Sequence, residues 1–179
     1  MDKTYYWGVA IGVLAAVAIL GVVLLILKKA GKLKTYRYDE RQKIARGQAY
    51  QAGFFTMLIY FFAFGITNGL DLIWCETFVG CFIGIVLGAG VFAVTAIRKD
   101  AYLALNENMK TFCLVSGLFI AGNLLSTVAN IMAGDLIADG MLTVSAVNML
   151  IALLWVVIFI AQLLHYRKVK KQEKAEEEA

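Results

Sequence analysis

The chain contains five apolar stretches of about 20 residues each, and none of them contains Lys, Arg, Asp or Glu. About 20 apolar residues in a helix span the roughly 30 Å hydrocarbon core of a bilayer. Each stretch is predicted to be a helix, because lipid offers no partner to unpaired backbone groups and the runs lack the alternation of a barrel strand. The predicted fold class is an all-α polytopic membrane protein with five spans. These cover residues 5–27, 49–67, 77–97, 111–133 and 142–164.

The composition agrees with a membrane protein and leaves little room for another domain. Of the 179 residues, 61% are apolar and 17% are charged, whereas soluble domains average about 45–50% and about 25%. The longest polar segments are a basic loop, residues 28–48, and a charged tail, residues 165–179. We therefore expect a single transmembrane domain over residues 1–179, without a separate ATPase, kinase or nucleic-acid-binding domain.

The basic residues predict the orientation of the chain in the membrane. With five spans, all of the 17 Lys and Arg residues except Lys3 fall on the side of the basic loop and the tail. Loops on the cytoplasmic side collect Lys and Arg. We therefore expect the N-terminus outside and the C-terminus in the cytoplasm.

Small residues recur at four-residue spacing in two of the spans. The third span carries Gly80, Gly84 and Gly88, and the first carries Gly8 and Gly12. Small residues at this spacing allow two membrane helices to approach closely. Packing within one chain is the favoured interpretation, and a homodimer through the third span is the alternative.

The fourth span carries a polar face. Asn123, Ser126 and Asn130 are spaced so that they share one side of a helix, and Asn148 of the fifth span is positioned to meet them. Unpaired amides are costly in lipid, so these side chains are expected to face protein or water. The favoured interpretation is hydrogen bonding between helices. The functional alternative is a polar path through the membrane.

The residues of a catalytic, cofactor or metal site are missing from the sequence. No Asp, Glu, Lys, Arg or His lies in the middle of a span, where proton relays and ion-coupled pumps need one, and no HExxH motif occurs. Cys75, Cys81 and Cys113 form no CxxC pair and are expected to be small residues embedded in the membrane. His165 is expected to cap the fifth helix. We predict no enzyme activity, no cofactor and no metal.

The basic loop contains a predicted helix start. Asp39 is a suitable N-cap, and Glu40 follows in the first turn, where the helix dipole favours a carboxylate. One continuous helix is predicted from Asp39 to Thr67, with an i,i+4 pair between Asp39 and Lys43. Residues 100–108 are predicted to form a short interfacial helix.

The same loops mix acidic with basic side chains, which favours specific pairing. One interpretation is an electrostatic anchor on an anionic inner leaflet. The other is a docking surface for a membrane or cytoplasmic protein, and some of its ion pairs are expected to join the two cytoplasmic loops. The candidate docking residues are Asp39, Glu40, Arg41, Arg46 and Asp100.

A short motif in this loop resembles one in a group of small multi-pass bacterial membrane proteins. That group shares an Asp-Glu-Arg juxtamembrane motif leading into a helix, and its function is unknown. Here the motif reads Asp39-Glu40-Arg41-Gln42, followed by Arg46-Gly47-Gln48-Ala49-Tyr50. The resemblance implies a multi-pass protein of a bacterial plasma membrane and assigns no activity.

These observations predict a non-enzymatic integral membrane protein that acts as an accessory or regulatory subunit. Its basic cytoplasmic surface would dock a protein partner, and no nucleic-acid partner is expected. The alternative is a small homo-oligomeric transporter or channel, with a polar path lined by the fourth and fifth spans.

Overall fold

The structure of the protein is a computed structural model, and it describes Val22 and residues 36–177. The chain divides into two units, Met1–Tyr36 and Arg37–Ala179. Apart from Val22, the predicted first span, with Gly8 and Gly12, lies outside the described residues. The architecture below is that of the second unit.

The second unit is built from four long helices and one small hairpin. All four helices are long and apolar enough to cross a membrane, which confirms an all-α, multi-pass membrane fold. The predicted count of five spans and the orientation of the termini stay predictions. The elements are α1 (Glu40–Gly69), α2 (Thr77–Arg98), α3 (Met109–Ala133), β1 (Ile137–Ala138), β2 (Met141–Leu142), a 3₁₀ turn (Val144–Ala146) and α4 (Val147–Glu177).

α2 occupies the middle of the helix arrangement. It packs against α1 on one side and α4 on the other, and α3 packs against α4. A small core forms where Ala93 and Ile97 of α2 meet Ile158 of α4. Much of each helix surface is not covered by the described protein, as expected for helices that face lipid tails.

The chain alternates between two ends of the bundle. At one end, the start of α1, the connection from α2 to α3 and the last part of α4 meet, because Gln42 and His165 both contact Asp100. We call this the basic end. At the opposite end, the hairpin end, the Glu76 carboxylate accepts a hydrogen bond from the Val144 N–H at 3.0 Å.

α1 begins with a complete capping box. The Asp39 carboxylate accepts from the Gln42 N–H at 2.6 Å, and the Gln42 side-chain oxygen accepts from the Asp39 N–H at 3.4 Å. The predicted continuous helix is confirmed and ends at Gly69. The predicted pair between Asp39 and Lys43 is wrong: Lys43 lies 2.6 Å from Glu40, since the Asp39 carboxylate is used by the cap.

Glycines let the backbones of α1 and α2 approach closely. A Cβ atom added to Gly53 would lie 2.6 Å from the Gly88 carbonyl oxygen, and one added to Gly88 would lie 3.0 Å from the Gly53 oxygen. Gly80 and Gly84 face aromatic rings of α1. In this structure the glycine face of α2 is therefore covered by α1 of the same chain.

The predicted helix over residues 100–108 is wrong. The segment is a series of turns, and it begins at Asp100 with a φ of 54°. A helix would use its carbonyl oxygens internally, whereas those of Asp100 and Leu103 accept from Gln42 and that of Ala101 accepts from Arg46. Side chains of α1 therefore replace the helical hydrogen bonds.

His165 and Cys75 also differ from their predicted roles. α4 continues past His165 to Glu177, so His165 does not cap the helix, and its ring pairs with the Asp100 carboxylate instead. Cys75 precedes α2, is buried, and forms a parallel bridge with Leu142. Burial raises the pKa of the Cys75 thiol. Cys75 is therefore part of the packing of the hairpin end and not of a span.

Because α1 and α2 cross closely, a glycine-to-alanine substitution is predicted to lower stability at one position of α1 and not at another. Gly53→Ala should lower the unfolding temperature of the purified protein, with a cost of about 1–3 kcal/mol, because backbone must move to admit the methyl group. Gly65→Ala is the control, since nothing lies within 4 Å of the added Cβ. Equal melting temperatures of the two variants, measured in the same detergent, would contradict the close crossing.

Candidate functional site at the basic end

Gln42 fixes the connection between α2 and α3 to the first turn of α1. Its side chain is 5% exposed, and its Nε2 donates to the carbonyl oxygens of Asp100 at 2.8 Å and Leu103 at 3.3 Å. Its Oε1 accepts from the Asp39 N–H. The buried amide is thus paired at both of its ends, as a buried polar group requires.

Arg46, one turn further along α1, holds the next part of the connection. One guanidinium nitrogen donates to the carbonyl oxygens of Ala101 at 3.1 Å and Tyr102 at 3.3 Å. The guanidinium carbon lies 4.4 Å from the ring centroid of Tyr38 and 5.4 Å from that of Phe92. A planar cation can make such hydrogen bonds and cation–π contacts together. Arg46 therefore joins α1, α2 and the connection.

The chain before α1 pairs with the same connection through its backbone. The Leu105 N–H donates to the Arg37 carbonyl oxygen at 2.8 Å. The Arg37 N–H donates to the Asn106 side-chain oxygen at 3.1 Å. Within the connection, the Glu107 carboxylate accepts from the Ala104 N–H at 2.8 Å. The segment from Arg37 to Asp39 is thereby held against residues 104–107.

Asp100 links α1, α4 and the turn in which it lies. Its left-handed backbone is one that aspartate tolerates better than most residues. Its carboxylate pairs with the His165 ring and lies 3.9 Å from Arg41. Because Arg41 is 69% exposed in this long contact, its pairing with Asp100 contributes little to stability, and its charge stays available at the surface.

These contacts define a collar, which we take as residues 37–46 together with residues 99–108. The predicted docking residues divide into two groups within it. Asp39, Arg46 and Asp100 are used in the cap and the internal contacts. Glu40 and Arg41 point outward, with side chains 85% and 69% exposed. The collar therefore presents charged groups on a backbone that is fixed from within.

Sequence reasoning missed the roles of Gln42, Tyr102 and His165 in the collar. Gln42 shares a helix face with the small residues Ala45 and Ala49, all three buried, and this spacing could have indicated a buried amide. Burial raises the pKa of the Tyr102 phenol, the Glu107 carboxylate raises it further, and Arg46 opposes the shift. Tyr102 is therefore neutral at physiological pH and adds no charge to the collar.

The polar side chains of the predicted fourth span, which is α3, bond mainly to backbone. Asn123 and Ser126 each donate to the carbonyl oxygen four residues earlier in α3, at 2.8 and 3.1 Å. Asn130 donates to the Ser145 carbonyl oxygen at 2.8 Å and so connects α3 to the start of α4. Asn148 lies half-buried in the first turn of α4.

Within residues 36–177 no group of three His, Cys, Asp or Glu side chains is arranged to hold a metal ion. Comparison of the chain with protein-family models, curated proteins and solved structures gave no match.

Because Arg46 holds the connection, an arginine-to-lysine substitution is predicted to affect stability and hydrogen exchange at Arg46 and not at Arg41. Arg46→Lys should destabilise the protein by about 1–2 kcal/mol, because an ammonium group cannot donate in the same plane while stacking on the aromatic rings. It should also speed amide hydrogen exchange in residues 99–108. Arg41→Lys is the control and should change neither property, since Arg41 is exposed. Unchanged exchange in Arg46→Lys would show that α1 does not hold the connection.

Proposed function

We propose that the protein is a non-enzymatic accessory or regulatory subunit of a bacterial plasma membrane. In this proposal the basic end faces the cytoplasm, and the collar docks a membrane-associated or cytoplasmic protein. The observation that carries the proposal is the collar itself, in which the buried Gln42 and the half-buried Arg46 of α1 hold the connection between α2 and α3 in one arrangement.

A fixed backbone supports docking better than a solvated loop does, because less conformational freedom is lost when a partner binds. An ordinary connection between membrane helices needs no buried amide, yet Gln42 is nine-tenths buried against it. Outside these contacts, Glu40, Arg41 and Lys43 form an exposed charged surface. Charged groups at the rim of an interface favour the correct partner and speed association.

The charge distribution supports a cytoplasmic collar. α4 continues beyond its apolar part as an exposed helix with Arg167, Lys168, Lys170 and Lys171. Each basic residue near an anionic leaflet is attracted by about 1 kcal/mol. The hairpin end, by contrast, carries Asp71, Glu76, Asp135 and Asp139 and no Lys or Arg between residues 70 and 76 or 134 and 146.

The alternative of a transporter or channel would depend on the polar face of α3. Asn123, Ser126 and Asn130 each donate one hydrogen bond to a backbone carbonyl oxygen. The bonds of Asn123 and Ser126 lie within α3, and only that of Asn130 joins α3 to another element. Local pairing of this kind supports a structural role of the polar face, and with it the accessory-subunit proposal.

The orientation predicts which cysteine probes are reached from outside the cell. In a chain whose native cysteines are replaced by alanine, Asp139→Cys should react with a membrane-impermeant maleimide on intact cells. Lys170→Cys should react only after the membrane is opened. Labelling of intact cells at Lys170→Cys would place the collar outside and overturn the cytoplasmic docking proposal.

If the collar docks a partner, reversing the charge of Glu40 or Arg41 should abolish binding of that partner without affecting membrane insertion. Gentle purification of the native protein from its own membranes should retain a second polypeptide in fixed ratio, identified by its mass. Glu40→Lys and Arg41→Glu should each lose it, because both side chains are outward-facing. Both variants should still insert and purify as folded protein, because the pairs that they lose are exposed and contribute little to stability.

The control is Lys110→Glu, an exposed charge reversal at the same end but outside the collar. It should retain the second polypeptide. Retention by all three variants would contradict docking at the collar. A homo-oligomer without any second polypeptide would contradict the accessory-subunit proposal and favour transport.

A further inference from the structure

A lateral groove runs between α2 and α4 on the side of the bundle. It has a volume of about 590 Å³. Its walls are almost wholly aliphatic, and Gly90 leaves space between the two helices, with Leu154 as the nearest neighbour across it. Among the described residues of its lining, Arg98 is the only charged one, at the basic end of the groove.

A second cavity of about 450 Å³ continues the groove beyond the end of α2. The two cavities share Val94 and Arg98 in their linings. The second adds His165 and Lys168 of α4, and no carboxylate belongs to its described lining. An apolar channel along the helices thus opens into a basic mouth at one end of the bundle.

The two cations of the mouth are unpaired by protein within residues 36–177. Arg98 and Lys168 are both exposed, and the ion pairs of the described part of the chain involve Arg41, Lys43 and His165 instead. Two unpaired cations at the end of an apolar groove match a ligand with an anionic head and a hydrocarbon tail.

The dimensions match a lipid of one leaflet. From Ile83 to Arg98 the groove follows sixteen residues of α2, a rise of about 22 Å at 1.5 Å per residue. Half of the hydrocarbon core is about 15 Å. An acyl chain of the leaflet at the basic end would fit along the groove, with a phosphate group at the level of Arg98 and Lys168.

We propose that the groove between α2 and α4 is a binding site for one anionic glycerophospholipid. An acyl chain lies against the aliphatic wall, and the phosphate is held by Arg98 and Lys168. Another occupant to consider is the predicted first span, residues 5–27. Its basic flank, Lys28 and Lys29, would place like charges beside the mouth, so charge complementarity favours the lipid.

The test uses native mass spectrometry of the purified full-length protein titrated with palmitoyl-oleoyl phosphatidylglycerol or with the matching phosphatidylcholine. We expect one saturable phosphatidylglycerol adduct with markedly weaker binding of phosphatidylcholine. The double variant Arg98→Gln/Lys168→Gln should weaken the phosphatidylglycerol adduct by about tenfold to thirtyfold. Arg167→Gln/Lys110→Gln removes the same charge at the same end, outside the groove lining, and should bind like the native protein.

A second pair of variants tests the acyl part of the site. Val157→Trp fills the groove from its open side, and Val128→Trp places the same ring on α3, outside the groove; the two valines are 48% and 50% exposed. The partial exposure of both sites makes folding of both variants expected, and monodisperse gel filtration checks it. Only Val157→Trp should lose the adduct.

Four results would overturn the proposal or its acyl part. The first is equal binding of the two lipids. The second is equal loss of the adduct in both double charge variants, which would indicate general attraction to the basic end. The third is a disulfide between Gly12→Cys and Gly90→Cys, which would place the first span in the groove. Displacement of the adduct by glycerol phosphate alone would likewise overturn the acyl part.

Discussion

The approach of two backbones at Gly53 and Gly88 is the constraint on which the rest of this helix arrangement depends. Each glycine faces the carbonyl oxygen of the other, so α1 and α2 meet without side chains between them. That contact brings the first turns of α1 beside the end of α2, within reach of the connection that follows. The hydrogen bonds of Gln42 and Arg46 are possible only because the helices cross this closely.

The collar and the lateral groove depend on different faces of α2. α2 presents its glycines to α1 and its aliphatic residues to α4, and it ends at Arg98. One face is closed by aromatic rings of α1, whereas the other leaves space beside Gly90. The proposed partner docking at one end and the proposed lipid site along one side would use both faces of a single central helix.

The helices were predictable from sequence because lipid sets the length of a span and excludes charged side chains from it. The N-cap Asp39 correctly indicated where α1 begins. The connection was not predictable in the same way. Asp100, Ala101 and the residues that follow have an acceptable helical composition, but their carbonyl oxygens are taken by Gln42 and Arg46 from 55 or more residues earlier in the chain. Local preference cannot anticipate a donor that arrives by tertiary packing.

The hairpin at the other end was missed although the sequence marks it. Asp139 and Gly140 adopt φ values of 50° and 78°, as a two-residue hairpin turn of this kind requires. This dipeptide lies just before the apolar run predicted as the fifth span, residues 142–164, and the length of that run gives no sign of the two short strands around the turn. Among the candidate site residues, exposed charges such as Glu40 were found from composition, whereas the buried polar partner Gln42 needed the fold.

The unbroken passage of α1 from the collar to the hairpin end has a mechanical consequence. Thirty residues of continuous helix form a rod about 45 Å long. A tilt of about 5° at its capped end would displace the opposite end by about 4 Å over that length. Because α1 is one continuous helix, a movement of its charged first turns therefore also moves its opposite end, without any change in the helix itself.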